Sequence, residues 1–200
     1  MGYFIRVLGI YEDVITRPEL EKALAEDGLK ASISLDQEDD PWSVMDVETA
    51  SGMRLVQVEK NFVFPGCLAQ AELDEFRKLI REHQPSSAVQ WLDGYFDRIK
   101  VVYAFRVLDG ALIDDNIEIV SSLKRAIWGR AGGLVQNDLE GFSNDEGYHI
   151  LWQFPDDVTG DKYCAVLDNG VWVKFRMDLG DPFQRMSFWA GEVPQMAVRL

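Results

Sequence analysis

Cysteine is scarce in this sequence: Cys67 and Cys164 are the only two among 200 residues. A secreted domain held together by disulfides carries more cysteines at closer spacing, so we expect two reduced thiols packed as small apolar side chains. The sequence also has no uncharged apolar stretch near the roughly 20 residues that span a bilayer. Its N-terminal residues lack the basic start of a signal peptide. Together these absences predict a cytoplasmic protein without a membrane segment.

Positive charge is the second scarcity. Lys and Arg number 20 against 34 Asp and Glu, which gives a formal net charge of −14. Nucleic acids and anionic membranes are bound mainly through Lys and Arg, so we expect neither as a partner. A basic protein would be attracted to such a chain. Acidity also serves solubility alone in many cytosolic proteins, so the charge does not by itself identify a partner.

The acids are concentrated in two segments that contain no Lys or Arg, residues 31–53 and 131–161. The first segment contains six acids: Asp36, Glu38, Asp39, Asp40, Asp46 and Glu48. The second contains seven: Asp138, Glu140, Asp145, Glu146, Asp156, Asp157 and Asp161. This distribution predicts a strongly negative surface rather than an even spread of charge.

Short apolar strands alternate with amphipathic helices along the chain. A capping box at Thr16 and Glu19 predicts the start of the first helix, and Asn169-Gly170 supplies the positive φ angles of a tight hairpin turn. Further strands are predicted over 134–142 and, as a last edge strand, over 186–190. This order is typical of the α+β class, with helices on one face of mainly antiparallel sheet.

We expect one compact protein over residues 1–200 with an internal pseudo-repeat. The strand sequence YFIRVL at residues 3–8 aligns without gaps on YAFRVL at residues 103–108. Each is followed by a helix that stops at glycine and then by further strands. The pattern suggests two tandem β-α-β-β-β halves, residues 1–64 and 100–190, bridged by a helical segment at residues 65–99.

Asp138 and Glu140 are the residues most suggestive of chemistry. If they lie on one strand, their side chains share a face, and the nearby like charge would raise one carboxyl pKa. Such a pair could act as acid and base in a hydrolase or hold a divalent cation. His149 is a candidate general base nearby, although a surface histidine on a strand is the more common case.

No cofactor or metal motif is present in the sequence. The acidic turns do not have EF-hand spacing, the two histidines and two cysteines lack zinc-ligand spacing, and there is no Walker lysine loop or GxGxxG fingerprint. We therefore predict no cofactor and no metal, and we lean towards a protein that is not an enzyme.

The first functional hypothesis is a non-enzymatic, immunity- or inhibitor-like protein whose acidic loops engage a basic protein. In size, acidity and aromatic content the chain resembles bacterial immunity proteins, with no shared motif. The second hypothesis is a hydrolase or metal-dependent enzyme that uses Asp138 and Glu140, and the third is a structural or homo-oligomeric protein joined through its tryptophans. For the first, Trp42 would serve as an aromatic anchor. The acids predicted to bind are Asp36, Glu38, Asp39, Asp40, Asp138, Glu140, Asp145 and Glu146.

Overall fold

A computed structural model describes residues 3–37 and 42–200 of the chain. Within those ranges there are five α-helices and eleven strands. All but one of the strand pairings described are antiparallel, so the fold belongs to the predicted α+β class. The strands are β1 (Tyr3–Gly9), β2 (Ser32–Leu35), β3 (Val44–Glu48), β4 (Arg54–Phe62), β5 (Val101–Val107), β6 (Leu134–Asn137), β7 (Gly141–Ser143), β8 (His149–Trp152), β9 (Asp161–Asp168), β10 (Val171–Asp178) and β11 (Val198–Arg199). The helices are α1 (Arg17–Glu26), α2 (Leu68–Leu79), α3 (Ser86–Tyr95), α4 (Ile117–Ala131) and α5 (Pro182–Trp189).

The chain folds into two compact units, each made from two separate stretches of sequence. Unit 1 consists of residues 1–69 and 99–133, and unit 2 consists of residues 70–98 and 134–200. Among the described residues, no helix is long and apolar enough to cross a membrane.

Unit 1 is built on antiparallel strands in the spatial order β1-β5-β4-β3-β2. Side chains alternate between the two faces of a strand, and in β5 the face that carries Tyr103 and Phe105 is buried while Arg106 is exposed. Helix α4 contacts both β1 and α1. The buried faces of these elements form the core of the unit.

The start of α1 follows the sequence prediction. The backbone N–H and the hydroxyl of Thr16 both donate to the Glu19 carboxylate, at 2.8 and 2.9 Å. These hydrogen bonds and the charge of Arg130 hold the pKa of Glu19 below its usual range. The carboxylate therefore stays ionised and closes the first turn of the helix.

The tandem halves are not confirmed. Strand β5, which would open the second half, pairs along its whole length with β1, from Tyr3↔Val107 to Gly9↔Val101. It also pairs with β4. The two strands whose sequences look alike are thus neighbours in one unit, and the unit boundaries differ from residues 64 and 100.

Unit 2 arranges its strands in the order β6-β7-β8-β9-β10-β11, with β8 and β9 parallel. The predicted hairpin is confirmed: Asn169 and Gly170 have φ angles of 48° and 82° between β9 and β10. A buried cluster that includes Trp152, Phe175 and Phe188 forms its core. Helix α3 contacts β8 and β9.

Two strand predictions in unit 2 are wrong. Residues 186–190 do not form an edge strand, because Asp181 caps a helix and Pro182 occupies its first turn, where the missing N–H costs nothing. The predicted strand over 134–142 is interrupted by a turn at residues 138–140. There Leu139 has a φ angle of 63°.

Candidate functional site

The turn between β6 and β7 carries the acidic pair. Asp138 and Glu140 lie on either side of Leu139 in this turn, and not on one face of a strand. The Glu140 carboxylate accepts hydrogen bonds from Lys162 Nζ at 2.7 Å and from Asn137 Nδ2 at 3.0 Å. One member of the pair is therefore already neutralised by a lysine of the same unit.

His149 lies in the core of unit 2 rather than on a strand surface. The residue is 1% exposed, and its ring packs against Phe154 and Phe188, with centroid distances of 4.8 and 6.0 Å. Burial, together with the charge of Lys162, lowers the pKa of the imidazole to about 3. His149 is neutral at physiological pH, and its Nε2 has no hydrogen-bond partner among the described residues.

The hydrolase hypothesis required a cleft in which the acidic pair and His149 converge. In the structure the carboxylates lie in a turn and the imidazole is buried against aromatic rings, and the hydrolase hypothesis stays a prediction. Cys164, beside His149 in the parallel pairing of β8 and β9, is also buried, and burial raises the pKa of its thiol to about 12. A thiol of this kind is not a nucleophile at neutral pH.

The other predicted binding residues have different surroundings. Trp42 is fully buried and donates through Nε1 to the carbonyl oxygen of Ile15 at 2.9 Å, so it is a core residue and not a surface anchor. Asp36 Oδ1 accepts from the backbone N–H groups of Ser43 and Val44, both at 3.0 Å. These bonds lower its pKa and connect the end of β2 to the start of β3. Glu38, Asp39 and Asp40 lie outside the described residues.

Asp145 and Glu146 occupy the turn between β7 and β8. The side chain of Asn144 is buried, and its Oδ1 accepts hydrogen bonds from the backbone N–H groups of Glu146 and Tyr148. These two bonds fix the shape of the turn. Glu146 forms an ion pair with Lys174, whereas Asp145 is exposed and has no ion pair among the described residues. Only one of the two turn carboxylates therefore presents an uncompensated charge.

Asp156 and Asp157 add two exposed carboxylates in the segment between β8 and β9. Arg185, from α5, donates to the backbone oxygens of Asp156 and Val158, both at 2.7 Å. Neither aspartate side chain has an ion pair among the described residues. The sequence placed both in an acidic segment but did not include them among the binding residues.

Sequence reasoning missed a groove between α5 and residues 192–196 in unit 2. Its volume is about 410 Å³, and it is lined by Phe183, Met186, Val193 and Met196 together with the acids Asp181 and Glu192. The signal that could have revealed it is Asp181-Pro182, a helix start that places Phe183 and Met186 three residues apart on one face.

No metal centre is formed by the described residues, because no three His, Cys, Asp or Glu side chains are grouped to hold an ion. What unit 2 offers is exposed carboxylates and an apolar groove with an acidic lining. Comparisons of the chain with protein-family models, with curated proteins and with solved structures find no match.

Proposed function

We propose that the chain is a non-enzymatic binding protein that engages a basic protein partner. The observation that carries the proposal is a set of exposed carboxylates in unit 2 that form no ion pair with a basic side chain among the described residues. Asp145, Asp156 and Asp157 belong to a segment of seven acids without Lys or Arg, and they have no ion pair among the described residues. Opposite charge on a partner would be steered towards them.

The charge of unit 2 supports this proposal. From the sequence, residues 70–98 and 134–200 contain 17 acids and 9 basic residues, a balance of −8 out of −14 for the whole chain. Several basic residues are already paired, including Lys162 with Glu140 and Lys174 with Glu146. The electrostatic potential around unit 2 therefore remains negative when its internal ion pairs are taken into account, and it would attract a basic protein.

The test is an association-rate measurement. The full chain is used as bait in host cytosol at low salt, a basic protein released at a defined salt step is identified by mass spectrometry, and its association is then followed by stopped-flow fluorescence. In the triple variant Asp145→Asn, Asp156→Asn and Asp157→Asn, we expect the association rate to fall about ten-fold at low salt, because electrostatic steering raises such rates by orders of magnitude.

The matched control changes the same amount of charge elsewhere. Glu12→Gln, Asp114→Asn and Asp115→Asn neutralise three exposed acids of unit 1. If both triple variants slow association equally, net charge alone is responsible and the surface is not specific. If neither changes the rate or its dependence on salt, or if no basic protein is retained by the folded bait, the proposed function is wrong.

A further inference from the structure

The groove of unit 2 exposes three large apolar side chains together. Phe183 is 79% exposed, Met186 is 62% exposed and Met196 is 81% exposed, and all three line the same groove. Single exposed apolar residues are normal on a soluble protein, but a contiguous group around one concave surface is typical of an interaction site. Two of the three are methionines, whose flexible thioethers adapt to different partners.

The groove is held in place by the rest of unit 2. Asp181 accepts from the N–H groups of Phe183 and Gln184, at 2.8 and 3.3 Å. The hydrogen bond from the Gln184 side chain, together with these backbone contacts, lowers the pKa of Asp181. On the opposite side of α5, Phe188 is buried in the core. Because the inner face and the first turn of α5 are both fixed, Phe183 and Met186 are directed outward before any partner binds.

The charge around the groove is negative, which favours a partner with basic side chains. Within the part of the chain that the structure describes, its charged lining residues are Asp181 and Glu192. Arg185, two residues after Phe183, projects about 200° away around the helix. It is engaged there by the carbonyl oxygens of Leu179, Asp156 and Val158. Its guanidinium therefore does not neutralise the groove.

An adjoining cavity is also lined by more acidic than basic residues. Its volume is about 320 Å³, it shares Glu192 and Val193 with the groove, and it contains Arg199 alongside Asp168. One cation there faces two carboxylates, so the combined surface stays negative. A groove lined by exposed apolar side chains and two carboxylates is complementary to a helix that has apolar anchors on one face and Lys or Arg beside them.

We propose that this groove binds a basic amphipathic helix of a partner protein, with apolar side chains of the helix seated against Phe183, Met186 and Met196 and its cations beside Asp181 and Glu192. The inference rests on the proposed function and names the part of the basic partner that is recognised. Asp156 and Asp157, on the segment held by Arg185, would then attract the partner before the apolar contacts form.

The experiment uses the full chain and three labelled synthetic peptides of about five helical turns. The first has leucines at i, i+3, i+4 and i+7 with lysines elsewhere, the second has the same composition with the leucines scattered, and the third is oligolysine. Fluorescence anisotropy should show that the first peptide binds about ten-fold more tightly than the second. Amide NMR shifts should concentrate in residues 181–196.

Variants identify the groove as the site. Phe183→Ser with Met186→Ser should weaken binding of the first peptide about ten-fold, because two apolar contacts are lost. Glu192→Gln should weaken it less and reduce its dependence on salt. The matched control, Leu139→Ser with Val171→Ser, removes two exposed apolar side chains of unit 2 outside the groove and should leave binding unchanged.

The peptides separate failure of this inference from failure of the proposed function. If all three peptides bind equally well and the groove variants have no effect, the acidic surface binds cations but the groove is not a docking site. If none of them binds, no support remains for either proposal. If the wild-type chain is a dimer in sizing experiments and Phe183→Ser with Met186→Ser makes it monomeric, the occupant is a second copy and the inference is overturned.

Discussion

Acidifying the protein from about pH 7 to about pH 5 should lower its free energy of unfolding by roughly 2 kcal/mol through one side chain, His149. Burial among aromatic rings lowers the pKa of His149 from 6.5 to about 3. Above pH 6.5 the imidazole is neutral in both the folded and the unfolded chain. As the pH falls below 6.5, His149 binds a proton in the unfolded chain but stays neutral in the folded chain. The free energy of unfolding therefore decreases until the pH reaches the pKa of the folded state.

The magnitude follows from the two pKa values. At about pH 5 the unfolded imidazole is almost fully protonated, and the free energy of that protonation is about 2 kcal/mol. The full difference between 6.5 and about 3 corresponds to roughly 5 kcal/mol, reached near the folded pKa. The carboxylates whose pKa values are lowered, Glu19, Asp36 and Asp181, lose their contributions to stability only below the ordinary pKa values of 4.5 for Glu and 3.8 for Asp. The interval between about pH 7 and 5 therefore isolates the histidine.

The assay is urea unfolding followed by tryptophan fluorescence at several pH values and constant ionic strength. His149→Phe keeps an aromatic ring against Phe154 and Phe188 and removes the titrating nitrogen, so the loss between pH 7 and 5 should largely disappear. His83→Gln is the matched control, since it removes the other imidazole and leaves His149 in place. The reasoning is refuted if His149→Phe loses as much stability on acidification as the wild-type chain, or if His83→Gln is the variant that abolishes the loss.

Further predictions concern glycine and cysteine. Gly141→Ala should destabilise the chain by more than about 3 kcal/mol in urea unfolding, because Gly141 has a φ angle of 117° and a Cβ there would lie 2.0 Å from the Leu151 carbonyl oxygen. Gly129→Ala, in α4 with nothing within 4 Å, should instead stabilise by about 0.5–1 kcal/mol, and a loss in both variants would contradict the distinction. Cys164 should react with a thiol reagent only after unfolding, while half-buried Cys67 reacts earlier, as peptide mass spectrometry after timed labelling would show. Rapid native labelling of Cys164 would mean that the core around it opens readily.

Local signals in the sequence predicted local structure well. The capping box at Thr16 and the Asn169-Gly170 turn each depend on residues close together in the chain, and both are confirmed. The turn at Leu139 was missed because leucine rarely adopts a positive φ, although the flanking Asn137, Asp138 and Gly141 are common turn residues. The start of α5 was missed although Asp181-Pro182 is a recognisable helix signal.

Burial and pairing were harder to predict, because both depend on residues distant in sequence. The pairing of β5 with β1 joins segments about a hundred residues apart. The similarity of the two strands led instead to the prediction of tandem halves, which is not confirmed. His149 was placed on a surface strand, although all four residues of β8 are buried. The residues that follow His149 in β8 are all apolar, and such a continuous apolar run is typical of a strand that is buried on both faces. The acidic segments were located by composition, whereas their internal ion pairs required the structure.

The division of each unit between two stretches of sequence affects how the chain can be made and cut. During synthesis, all of unit 1 has been translated once Gly133 is added, while unit 2 still lacks all six of its described strands and α5. A fragment ending at Gly133 would contain the whole of unit 1 and carry residues 70–98 without their partners. No contiguous fragment shorter than residues 70–200 contains all of unit 2, and that fragment would also carry β5 and α4 away from unit 1. Because domains generally fold in order of synthesis, α2 and α3 must wait for the C-terminal third of the chain before their apolar faces are covered.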